Sequence, residues 1–331
     1  MPVRNERKFI GDTLMQLLRQ DYPHDRFEIL VVDGMSDDET RETVQELMGK
    51  YPQVKLLINE KRLSSAGRNV GFREGKGDIF LVVDGHCHIG SDQFLNSVVA
   101  CFEESGAACL GRPQPLDPPG IAPFQKAVAL ARASKLGHGG DSMIYSSYEG
   151  YASPVSNGAV YKREVFRDVG YVDESFDACE DVEFNFRVEK AGLKAYMSPA
   201  ITVRYYPRET LGGLFRQMVR YGQGRFRLVR KHSDALTPGM LAPPVFVAGL
   251  LLLAAVAAVH TLFAEHWAAV MTGLLAAVYG VYVLLIVAES LRIALKNGFR
   301  YLMYLPFILF AIHIGLGWGI LKGGYGVIQK Q

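Results

Sequence analysis

Between residues 27 and 84 the apolar positions follow two alternating rhythms. FEILVVD (27–33), VKLLI (54–58) and DIFLVVD (78–84) are short, nearly continuous apolar runs that predict buried strands. DDETRETVQELMGKY (37–51) and SSAGRNVGFREGKG (64–77) predict helices, the second ending in glycines. A βαβαβ series of this kind predicts an α/β domain with a mostly parallel, doubly wound sheet, which binds ligands at the carboxyl ends of its strands. Asp33 and Asp84 both follow such runs and are expected to face one crevice, although a strand-terminal Asp also commonly serves as a turn residue or helix cap.

Further along, the pattern changes character. Residues 245–263, 267–288 and 302–321 contain no Asp, Glu, Lys or Arg, and each is about the 20 residues needed to span a bilayer. The alternative is a buried helical hairpin. Just upstream, FRQMVRYGQGRFRLVRK (215–231) sets Leu214, Phe215, Met218 and Val219 opposite Arg216, Arg220 and Arg227 at helical spacing. That predicts an amphipathic helix suited to an anionic membrane surface, or else an ordinary solvated basic helix. The expected organisation is a catalytic domain over 1–208, interface helices over 209–240 and a transmembrane region over 241–331.

Charge and cysteine content add little. A net charge of +2 on 331 residues gives no reason to expect nucleic acid as a partner. Cys87, Cys101, Cys109 and Cys179 fall in no CxxC spacing and read as reduced thiols. No signal peptide precedes the charged portion, and Arg292, Lys296 and Arg300 lie between the second and third apolar segments. Both features predict that the charged portion faces the cytoplasm.

Two stretches carry candidate chemistry. VVDGHCHIG (82–90) presents Asp84, His86 and His88 at alternate positions, which an extended chain places on one side. In CEDVEFNFRVEKAG (179–192), Glu180 and Asp181 stand where a loop enters a helix, whose dipole favours the carboxylate form, and Glu183 and Arg187 have i,i+4 spacing. Simple helix capping would also explain the two acids.

The words MPVRNE, VVDGMSDDET, SAGRNVG, VVDGHCH, SNGAVYKREVF and ACEDVEFNFRVEKAG, in that order, resemble the family 2 glycosyltransferases of GT-A fold over roughly residues 1–235. The RQMVRYGQGR stretch and the apolar segments look most like bacterial exopolysaccharide glucosyltransferases of the succinoglycan type, which act on lipid-linked acceptors. The resemblance implies that Asp33 reads the donor base, that Pro2, Arg4 and Glu6 line the nucleotide pocket, and that Arg68 contacts the nucleotide or its diphosphate. It implies a metal held by Asp84 and His86, where the family usually has Asp-x-Asp. Nitrogen ligation then favours Mn²⁺ over Mg²⁺, and His88 is a further possible ligand or a structural histidine. Asp181 becomes the general base, Glu180 its acceptor-site neighbour, and Gln217, Arg220 and Tyr221 the acceptor or diphosphate contacts. The resemblance also places a strand ahead of MPVRNE, so either residues precede Met1 or the first strand is short.

The implied reaction is inverting addition of one sugar, glucose, from a UDP-sugar to a polyprenyl-diphosphate-linked saccharide. The implied setting is the bacterial inner membrane, with membrane lipid and other enzymes of the pathway as partners. QMVRY also resembles the Gln-x-x-Arg-Trp word of processive synthases, with Tyr221 in place of Trp. Processive synthesis, transfer to polyprenyl phosphate and an inactive nucleotide-sugar-binding scaffold therefore stand as alternatives.

Overall fold

The computed structural model describes residues 1–138 and 143–328. Its contacts divide the chain into two units, Met1–Gly120 with Asp141–Tyr206, and Ile121–Gly140 with Pro207–Gln331. In chain order the elements are β1 (Pro2–Val3), α1 (Ile10–Leu18), β2 (Ile29–Asp33), α2 (Thr40–Met48), β3 (Val54–Ile58), α3 (Ser64–Glu74), β4 (Ile79–Leu81), β5 (Cys87–His88), α4 (Phe94–Ser105) and β6 (Cys109–Gly111). There follow α5 (Pro123–Arg132), α6 (Lys135–His138), β7 (Gly150–Tyr151), β8 (Gly158–Lys162), α7 (Arg163–Val169), α8 (Glu180–Lys190), β9 (Ala195–Met197) and β10 (Arg204–Tyr205). The chain continues through α9 (Leu211–Lys231), α10 (Pro238–Phe263), α11 (His266–Asn297) and α12 (Leu305–Ile328).

In the first unit, β1, β2 and β3 form a parallel sheet in that order. Helix α1 buries Ile10, Thr13, Leu14, Leu17 and Leu18, the i, i+3, i+4, i+7, i+8 stripe of a helix lying on a core. A second sheet runs β4-β8-β6-β9-β7, with β6 and β9 parallel and its other pairs antiparallel. A short antiparallel pair joins β5 to β10. Strand β4 is shorter than its apolar run. Val82 N still donates to Ala159 O at 3.0 Å, but the chain then leaves the ladder, so Asp84 lies three residues beyond the assigned strand. The departure brings Gly85 against Glu6. A Cβ there would stand 2.7 Å from the Glu6 Cγ, so the approach needs glycine.

The second unit holds three helices long and apolar enough to cross a membrane, α10, α11 and α12. They differ in packing: 44% of the apolar window of α12 is buried within the protein, against 11% for α10 and 6% for α11. Helix α12 lies against α9 with almost no side chain between them. Added Cβ atoms would stand 2.2 Å from Val219 O at Gly319 and 2.3 Å from Leu316 O at Gly222. Such small-residue contacts let helix backbones approach closely.

Leu214 and Met218 of α9 are buried in one cluster with Ala127, Val128, Ile308 and Ile312. The apolar stripe of α9, expected at a lipid surface, is therefore used largely in helix packing, while Arg216 and Arg220 are exposed. The reason is local: Gly222 on the same helix leaves room for the α12 backbone to take the place of lipid. His313, within α12, meets Leu136 O through Nε2 at 2.7 Å and the Tyr282 hydroxyl through Nδ1 at 2.8 Å, so both of its nitrogens have partners in an apolar setting.

Candidate active site

The site is built in the first unit by loops at the ends of short strands. The loop after β1 is tied to the loop after β2. Asn5 N donates to Ser36 Oγ at 2.9 Å, Glu6 N to Thr40 Oγ1 at 2.8 Å, and Asp37 N to Asn5 Oδ1 at 3.0 Å. Asn5 and Met35 hold left-handed backbone, φ 56° and 60°. For non-glycine residues such conformations persist where the surroundings over-determine them, and they cluster at functional sites. Asp33 ends β2 and is fully buried, accepting from Ser36 N at 3.0 Å and from the Ser36 hydroxyl, with Arg41 Nε at 3.7 Å. Pro2 pairs with Val32 and packs on Gly67, where a Cβ would lie 3.1 Å from the Pro2 Cβ. Arg4 is exposed.

Along VVDGHCHIG the burial alternates. Asp84, His86 and His88 are half-buried, while Gly85, Cys87 and Ile89 are buried. This is the extended-chain alternation expected from the sequence. Glu6 Oε1 lies 2.7 Å from His86 Nδ1. With a carboxylate accepting there, Nδ1 carries the proton and Nε2 the lone pair, an arrangement that orients a histidine toward a metal. Among the described residues no three His, Cys, Asp or Glu side chains are grouped to hold a metal by themselves. Asp84 and His86 are two donors, so an ion there would need further oxygens from a ligand or from water. The donor set fits a divalent ion that accepts nitrogen. His88 lies opposite Arg204 in the β5–β10 register. Burial and then the Arg204 charge hold its pKa below the ordinary value.

Glu180 and Asp181 open α8. The preceding residue, Cys179, has φ 60° and is nine-tenths buried. Glu180 is 6% exposed, and its Oε1 lies 3.4 Å from Arg68 Nε. Burial pushes the Glu180 pKa up, Arg68 opposes the rise and Asp181 adds to it. For Glu180 the helix dipole expected to favour the carboxylate is outweighed by desolvation. On Arg68, burial works to lower the pKa, but the charges of Glu180, Asp181 and Asp84 raise it above the ordinary value. Arg68 thus stands among the carboxylates, with its Nε toward Glu180. Asp181 is half-buried, and its Oδ1 accepts from Val182 N at 2.8 Å. Farther along α8, Glu183 is fully buried and takes two hydrogen bonds from Arg187, at 2.9 and 3.0 Å.

Gln217, Arg220 and Tyr221 lie on α9 in the second unit. Gln217 Nε2 is 3.4 Å from the Tyr221 hydroxyl, and Arg132 sits 5.9 Å from the Tyr221 ring centroid.

Three contributors were not singled out from the sequence. Thr13 Oγ1 lies within hydrogen-bonding reach of Gly85 O at 2.8 Å and Cys87 O at 3.1 Å, behind the Asp84–His86 stretch. Arg112 and Tyr205 reach the same stretch from β6 and β10. Only Arg112 had a readable signal, a charged residue directly after an apolar strand run.

A parallel three-stranded sheet beside a mixed second sheet, with the Asp84–His86 turn after β4 and an acidic start to α8, is the arrangement of the GT-A glycosyltransferase fold. Residues 1–224 match the Glycosyltransferase like family 2 profile. Succinoglycan biosynthesis protein ExoA of Rhizobium meliloti is 33% identical over 86% of this chain and 84% of its own. A Methanococcus voltae dolichyl N-acetyl-α-D-glucosaminyl phosphate 3-β-D-2,3-diacetamido-2,3-dideoxy-β-D-glucuronosyltransferase is 27% identical over 98% of this chain and 95% of its own. Among solved structures, the mannosyltransferase PcManGT of Pyrobaculum calidifontis, in complex with GDP-Man and Mn²⁺, aligns with TM-score 0.59 at 18% identity, covering 96% of this chain and 85% of that one. The chain belongs to glycosyltransferase family 2 and is an enzyme of that family.

Proposed function

We propose that the protein is an inverting, metal-dependent transferase that adds a single glucose from UDP-glucose to a polyprenyl-diphosphate-linked saccharide in exopolysaccharide synthesis. The observation that supports this reading is that Arg68, whose Nε lies 3.4 Å from Glu180 Oε1 at the start of α8, is also under the charges of Asp181 and Asp84, so the proposed base end and metal end share one guanidinium. Asp33 is assigned to the base of the nucleotide, with Pro2, Arg4 and Glu6 lining its pocket. Asp84 and His86 would hold Mn²⁺ in preference to Mg²⁺, because one donor is nitrogen. Such an ion neutralises the charge that builds on the departing nucleoside diphosphate.

A sugar hydroxyl is too weak an acid to ionise unaided near neutral pH, so Asp181 accepts its proton and Glu180 orients the acceptor. A single displacement at C1 inverts the anomeric centre, and an α-linked donor yields a β-linked product. A lipid-linked acceptor is supported by the three apolar helices and by the dolichyl phosphate sugar in the name of the Methanococcus relative. Gln217, Arg220 and Tyr221 are assigned to that acceptor or its diphosphate. The catalytic portion is assigned to the cytoplasmic face of a bacterial inner membrane, because Arg292 and Lys296 at the end of α11 and Arg300 just beyond it lie between the second and third apolar segments.

The test is to incubate membranes containing the protein with labelled UDP- and GDP-sugars and to analyse the lipid fraction. One added glucose from the UDP donor is expected. A ladder of products would mean a processive synthase, and a monosaccharide lipid would mean transfer to polyprenyl phosphate. Label from another donor would reassign the sugar.

A further inference from the structure

Arg112 follows β6 and is 1% exposed, which makes it the largest of the fully buried side chains among the described residues. Its Nη2 donates to Val82 O at 2.8 Å and to the Tyr205 hydroxyl at 3.0 Å, while its Nε and Nη1 have no hydrogen-bond partner. Burying a cation with unmet donors is costly. A purely space-filling role would be served by an apolar side chain of similar length, so the position of the two bonds it does make is informative.

Both bonds end beside the Asp84–His86 turn. Val82 is two residues before Asp84, and its carbonyl is held just where the chain leaves the β4–β8 ladder. Tyr205 is the register partner of Cys87, the residue after His86. One guanidinium nitrogen therefore ties the chain just before Asp84-Gly85-His86 to the strand that pairs with the residue just after it.

We propose that Arg112 is a positioning residue for the metal end of the site, fixing Asp84 and His86 on one side by clamping Val82 O and Tyr205 together. The proposal rests on the reading of Asp84 and His86 as metal ligands. Both bonds come from one nitrogen, Nη2, at the tip of a side chain one atom longer than that of lysine, so lysine at 112 would keep the charge but fall short of the two acceptors. Tyr205→Phe would remove one of the two contacts and leave the charge.

The experiment measures Mn²⁺ binding to the full chain in detergent, by electron paramagnetic resonance in the presence of UDP, for Arg112→Lys, Tyr205→Phe and His86→Ala. Partners that orient metal ligands typically contribute about 10- to 100-fold in metal affinity. Arg112→Lys is expected to weaken Mn²⁺ binding by about 10-fold or more on that scale, and Tyr205→Phe by less in the same direction. Thermal unfolding confirms that each variant is folded, and Tyr205→Phe decides if Arg112→Lys does not fold. Wild-type Mn²⁺ affinity in the folded Arg112 and Tyr205 variants, with binding weakened in His86→Ala, overturns the clamp while leaving the site in place. Wild-type affinity in His86→Ala as well overturns the metal site and the clamp together.

Discussion

At the residue scale the chemistry concentrates on Arg68 and the acids around it. Glu180 sits where burial favours the neutral form and Arg68 favours the charged one. Asp181→Asn keeps the shape and removes the charge that takes the acceptor proton. General-base contributions are about 10² to 10⁴ in rate, so transfer should fall by that order while the donor KM changes little. A near wild-type rate with donor saturating would move the assignment to Glu180. The pH profile tests Arg68 separately. Because the Arg68 charge lowers the pKa of Glu180, removing it in Arg68→Met lets that pKa rise further. If Glu180 must be charged to orient the acceptor, the acid limb of the transfer rate should then shift to higher pH, with activity lost earlier as pH falls. A limb that stays at its wild-type position would show that Glu180 does not govern it.

At the element scale, α9 and α12 meet through backbone, and the glycines set their distance. A side chain at Gly319 would collide with Val219 O, whereas nothing lies within 4 Å of a Cβ at Gly273 on α11. Gly319→Leu should therefore force the two helices apart. Overpacking typically costs about 1–3 kcal/mol, so a clear drop in unfolding temperature in detergent is expected. Gly273→Leu should stay close to wild type, since substitutions away from packed features usually fall within about 0.5 kcal/mol. Equal behaviour of the two variants would count against a close α9–α12 contact. The pairing of α9 with α12 was not visible in the arginine-rich helix itself. Its apolar stripe reads the same whether lipid or another helix covers it. In SAGRN, by contrast, the role of Gly67 could not be read locally, because its reason is Pro2 on a neighbouring strand.

At the scale of the whole molecule, hydropathy and charge set the expected topology. If Arg292, Lys296 and Arg300 mark the cytoplasmic side, protease added to inverted membrane vesicles should degrade the portion from Met1 to Tyr206. The same protease added to spheroplasts should spare it. The opposite pattern would reverse the orientation. The sequence by itself determined the β2-α2-β3-α3-β4 order of elements, the three apolar helices, the alternation that puts Asp84 and His86 on one side, and the acidic start of α8. Each rests on local periodicity or on a residue next to an element end, which a linear pattern records. Only the tertiary structure decided the rest. It placed residues 121–138 with the C-terminal helices, paired the second sheet in mixed directions, and turned Arg68 toward Glu180 and Glu6 toward His86. It also closed Arg112 and Tyr205 around the Asp84–His86 turn. Strands of two or three residues are too short to show a period, and a contact between residues 30 to 112 positions apart leaves no mark on either local pattern. Those arrangements follow from which surfaces the folded chain brings together.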